Sequence, residues 1–124
     1  MEYENDFVDE KPVELDIEGR KFKYKPTTGG DENDWLKDIM ALSSDGKTPK
    51  IDWGAYNKKK LANILSVPYE KELIQKVITQ NKEWKELTTD QKFEFLGKLK
   101  PKLFDKIVTA MKNVDEPDVK SLKN

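Results

Sequence analysis

The chain has no cysteine and no histidine among its 124 residues. Without cysteine there is no disulfide scaffold, no thiolate nucleophile and no sulfur-ligated zinc site. Without histidine the commonest general base and the commonest transition-metal ligand are missing as well. Arginine is nearly absent too, Arg20 being the single one beside 22 lysines. No apolar run approaches the roughly 20 residues that cross a bilayer, and the first residues, Met1-Glu2-Tyr3-Glu4-Asn5-Asp6, are acidic where a secretion signal is basic and then apolar. The expected setting is therefore the cytoplasm, without a membrane.

What the chain does have is charge and large side chains. Charged residues make up 38% and hydrophobic residues 35%, with three Trp, four Tyr and five Phe, so a core can rest on a few bulky groups. The length suits one ordinary domain. The net charge is -1, which supplies no global field for nucleic acid or an anionic membrane. The distribution is uneven: residues 1–38 carry 12 Asp/Glu against 6 Lys/Arg, and residues 39–124 carry 12 against 17.

Apolar spacing gives the elements. Residues 1–11 are acidic and short of aliphatics and read as a flexible lead-in. Val13, Leu15 and Ile17, then Phe22 and Tyr24, alternate around Glu18-Gly19, so a two-residue turn places Leu15 opposite Phe22 and Val13 opposite Tyr24 on one face. Glutamate is not favoured at the first position of such a turn, and a longer loop with Gly19 left-handed is the alternative. An isolated hairpin is marginal in water, so its apolar face must cover helices.

Helices follow. Asp31 is a candidate cap for the first, with Trp35, Leu36, Ile39 and Met40 as its stripe. The stretch from Ser43 to Pro49 reads as a loop, and a second helix is expected from about Ala55 to Leu65, with Trp53 and Tyr56 as anchors. Pro68 opens a third, Thr89 caps a fourth, and Pro101 opens a fifth, whose residues Leu103, Phe104, Ile107, Val108 and Met111 show the cleanest helical period in the chain. The expected fold is mainly α: an N-terminal β-hairpin followed by a bundle of four to five short helices. It spans 12–114 as a single domain, with 115–124 as a flexible tail.

The candidate sites are sparse. Thr27-Thr28-Gly29-Gly30-Asp31 is the only glycine-rich turn before a helix; it lacks the phosphate-loop spacing and lysine, and it ends in acid. Asp31, Glu32, Asp34 and Asp38 lack the alternation, central glycine and closing glutamate of a calcium loop. No catalytic residue, metal ligand or cofactor site is expected, and the chain is read as a non-enzyme. Two binding surfaces are available. The stripe Leu103, Phe104, Ile107, Val108 and Met111 can face a core or an amphipathic helical partner. Lys58, Lys59 and Lys60, following Trp53 and Tyr56, are the only basic run among aromatics, and Lys92, Lys98, Lys100, Lys102 and Lys106 extend it if the fold gathers them.

The stretch Leu15-Asp16-Ile17-Glu18-Gly19-Arg20-Lys21-Phe22-Lys23-Tyr24-Lys25-Pro26-Thr27 resembles the opening hairpin of small phage and prophage tail assembly chaperones. Trp84-Lys85-Glu86-Leu87 and the run from Phe95 to Phe104 resemble the helical region that follows it in that family. The resemblance covers roughly Pro12 to Met111. It implies a non-enzymatic protein, in the host cytoplasm, that binds the tape-measure protein and recruits tail-tube subunits. A different class of reading is a small helical nucleic-acid-binding or regulatory domain using Lys58 to Lys60. Affinity that falls steeply with salt distinguishes it from a protein binder.

Overall fold

The computed structural model describes residues 3–42 and 49–116. Strands β1 (Val13–Ile17) and β2 (Arg20–Tyr24) pair antiparallel, with Leu15 opposite Phe22 and Val13 opposite Tyr24 as the alternation predicts. The turn is the two-residue form. Glu18 and Gly19 have φ of 55° and 85°, the left-handed pair that matches the twist of a hairpin. Asp16 steadies it by accepting the Gly19 N–H at 3.0 Å. Leu15, Ile17, Phe22 and Tyr24 are all buried on the shared face.

The hairpin gains a third strand that periodicity does not show. The helix expected to reach Leu65 stops at Leu61, and Ile64–Ser66 forms β5, antiparallel to β2, in the order β1-β2-β5. The Lys25 N–H reaches Asn63 O at 3.0 Å and carries the pairing past a register shift. This relieves the marginality of a lone hairpin. On the far side of β5 a 3-10 turn, Trp84–Glu86, places the Trp84 indole N–H 2.8 Å from Ile64 O, so this edge is covered by a side-chain donor.

Among the described residues five helices complete the fold: α1 (Gly29–Ile39), α2 (Trp53–Leu61), α3 (Lys71–Ile78), α4 (Thr89–Gly97) and α5 (Pro101–Asp115). The mainly helical class with an N-terminal hairpin is thus observed. Several starts move by a residue or a few, those of α1 and α4 for reasons of capping. The α1 cap is Thr28, not Asp31; Asp31 is its reciprocal partner, each side chain bonding the other's backbone N–H at 3.1 Å. Thr88, not Thr89, caps α4 in the same way with Gln91. The third helix opens at Lys71 rather than Pro68. A two-stranded ribbon, β3 (Met40–Leu42) with β4 (Pro49–Ile51), stands between α1 and α2. Most of the expected loop from Ser43 to Pro49 lies outside the described residues.

One core joins the two layers. Phe22, Tyr24, Leu61, Ile64, Leu96, Ile107 and Met111 are fully buried, with Trp84, Leu87 and Phe95 beside them. Of the α1 stripe, Ile39 is buried and Trp35 and Leu36 are half-buried, while Met40 has left the helix for β3 and is exposed. Helix α5 lies against β1, and its last residue, Asp115, is the position at which the tail is expected to begin. In the lead-in, Glu4–Asp6 form a 3-10 turn with Tyr3 and Phe7 exposed on either side.

Candidate partner-binding groove

Helix α2 begins where Asp52 accepts the Ala55 N–H at 3.1 Å, which makes Trp53 the first helical residue. Trp53 is 63% exposed. Its ring meets Tyr56 edge-on at 5.6 Å, and Tyr56 meets Trp35 at 5.8 Å. The Tyr56 hydroxyl donates to Glu32 on α1 at 2.7 Å. Burial, with this bond second, raises the phenol above its ordinary range, so it stays a donor. Between α2 and α5 the pair walls a groove of about 250 Å³, completed by Asn57, Lys60, Val108, Lys112 and Glu116.

The groove backs onto a buried polar cluster. The Lys60 ammonium lies 2.9 Å from Asp115, both side chains being only 5% exposed, and 5.5 Å from the Tyr56 ring centroid. Asp115 also accepts the Tyr24 hydroxyl at 2.5 Å and the Thr27 N–H at 2.8 Å. Tyr24 has one proton and gives it to the carboxylate, so the Thr27 hydroxyl donates to Tyr24 at 2.9 Å. Burial first, then the bond to Asp115, pushes the Tyr24 phenol far above its ordinary value and keeps it protonated. Every charge here is neutralised by a neighbour, which is the condition for burying it. Among the described residues no group of three acidic side chains could hold a metal ion.

The chain matches no protein-family model, and neither a curated protein nor a solved structure is significantly similar to it.

The residues singled out in the sequence are dispersed by the fold. Lys58 pairs with Asp90 and Lys59 with Asp38 at 3.0 Å, all four lining one pocket beside α1 and α4, whereas Lys60 turns away from it to Asp115. The first two pairs are exposed and contribute little stability, yet they occupy the charges that a phosphate would need. Lys92 turns inward over the Trp84 ring, and burial lowers its pKa; Lys106 pairs with Glu18. Lys98, Lys100 and Lys102 are exposed at the α4–α5 junction, apart from the α2 lysines.

The stripe on α5 takes its core alternative. Ile107 and Met111 are fully buried, and Leu103, Phe104 and Val108 are partly buried against the same cluster. Only Val108 also lines the α2–α5 groove. Two residues of this site escape a reading of the sequence. Trp53 reads as a core anchor because of its size, and nothing in the local sequence marks it as exposed. Asp115 reads as tail because its partners, Tyr24, Thr27 and Lys60, are distant in sequence.

Proposed function

We propose that the chain is a non-enzymatic protein-binding module whose contact residue is Trp53, acting on a helical client. The observation that carries this reading is a tryptophan 63% exposed at the mouth of a groove between two helices. Exposed tryptophan beside a pocket is the composition of an interface hot spot. A groove bounded by α2 and α5 suits a third helix, whose apolar side chain would enter between Trp53 and Val108 while Lys112 and Glu116 face its polar flank. The resemblance to tail assembly chaperones gives this client a chemistry, the long amphipathic helix of a tape-measure protein, with tail-tube subunits as the second partner.

The test is a titration of the full chain, followed by tryptophan fluorescence, with a coiled-coil fragment of a tape-measure protein and, separately, with duplex DNA at low and high salt. Trp53→Ala should keep its circular dichroism spectrum, because the side chain is mostly in water, and lose at least tenfold in affinity for the coiled coil. Full affinity in the folded variant would remove this groove from consideration. Tight DNA binding that collapses with salt would replace the reading with the nucleic-acid one.

A further inference from the structure

The groove between α2 and α5 is lined by polar groups whose hydrogen-bonding capacity is not spent. The Lys60 side chain is 5% exposed and lines the groove, and its ammonium carries three N–H donors. Asp115, at 2.9 Å, is its only oxygen partner among the described residues, and the Tyr56 ring lies 5.5 Å away. With one N–H on the carboxylate and one on the ring face, a third has no acceptor. Glu116 lines the same groove, and among the described residues no ion pair engages its carboxylate, which accepts several hydrogen bonds. Burial and then Glu32 raise the Tyr56 phenol most, and Glu116 adds to the same shift, which puts its charge beside the aromatic wall.

The charges around the groove cancel. Asp115 neutralises Lys60 from behind, and Lys112 and Glu116 are of opposite sign, so no net charge draws an acidic or a basic side chain in. A purely apolar side chain would cover the Lys60 donor and leave it unpaired, at the desolvation cost of a buried polar group. A carboxylate has no N–H and meets Glu116 as a like charge; an ammonium has no acceptor and meets Lys60 in the same way. A neutral primary amide on an apolar stem matches one donor, one acceptor and an aromatic wall together. We propose that the helical client anchors in this groove through a glutamine side chain, its carbonyl oxygen accepting from Lys60, its NH2 donating to Glu116 and its methylenes lying against Trp53 and Tyr56. The inference rests on the reading of the groove as a helix-binding site and names the residue of the client that enters it.

The experiment uses the full chain and four amphipathic helical peptides, identical except for one central position that is glutamine, glutamate, leucine or lysine. Tryptophan fluorescence gives the four affinities, and an isotope-labelled carboxamide in the glutamine peptide reports on the anchor itself. The glutamine peptide should bind at least tenfold more tightly than the other three, and its side-chain NH2 should shift and exchange more slowly once bound. Lys60 stays in place, because the buried pair with Asp115 depends on it. Glu116→Ala, at an exposed position, should bring the glutamine and leucine peptides within about threefold of each other, whereas Trp53→Ala should weaken both and leave their ratio unchanged. Equal affinities, a leucine, glutamate or lysine peptide that binds best, a ratio untouched by Glu116→Ala, or an unshifted carboxamide would each overturn the glutamine anchor and leave the groove as a helix site. Failure of all four peptides to bind would remove the anchor and the helix-binding reading together.

Discussion

Removing the Lys60 ammonium should expose how much of the fold hangs on Asp115. In Lys60→Met the apolar stem is kept and the charge is lost, leaving a carboxylate that is 5% exposed with only the Tyr24 hydroxyl and the Thr27 N–H as donors. The carboxylate also sits at the C-terminal end of α5, where the helix dipole opposes a negative charge. Breaking a buried pair from one side costs about 3–5 kcal/mol. At roughly 4 °C per kcal/mol for a domain of this size, the melting temperature should fall by about 12–20 °C. Asp115→Asn, which strands the lysine instead, should cost a comparable amount. The double variant should be less damaged than the two losses added together, by on the order of 1.5 kcal/mol or more, because neither charge is then left alone. Urea titrations of the four proteins, followed by circular dichroism and tryptophan fluorescence, measure all three quantities. Single losses under about 1 kcal/mol, or additivity within about 0.5 kcal/mol, would refute the view that this pair ties α2, α5 and the hairpin together.

Three further outcomes follow from geometry already described. Thr79 closes α3 with φ of 62°, a conformation costly for a β-branched residue, so Thr79→Gly should raise stability by about 1 kcal/mol in a urea titration. Tyr24 has a phenol pKa raised above its ordinary 10.0, so its contribution is fully present below pH 10 and is lost as pH climbs toward the folded value; Tyr24→Phe should flatten the fall of stability measured above pH 10. Ile107→Ala, at a fully buried position of the α5 stripe, should cost about 2–5 kcal/mol and lower the melting temperature accordingly.

The hairpin was legible because its information is local and redundant: four apolar residues and one turn agree on a single register, and any slip would turn Leu15 and Phe22 to water. The α5 stripe was legible for the same reason, since one helical period repeats over three turns. Strand β5 was not. Ile64, Leu65 and Ser66 are too few to show alternation, and their pairing depends on β2, some forty residues earlier in the chain. The lysine run misled in the opposite sense, because each ammonium found its own carboxylate and Lys60 turned inward to Asp115. Trp53 shows that side-chain size does not fix burial: it opens α2 and is 63% exposed. Asp115 was invisible because all three of its donors come from other elements.

The capped edge beside Ile64 makes the sheet a terminus on one side. A sheet with two open edges can be extended from both, and identical copies can then stack without limit into a fibre. With the Trp84 indole bonded to Ile64 O on one side, the described sheet offers β1 as its less protected edge.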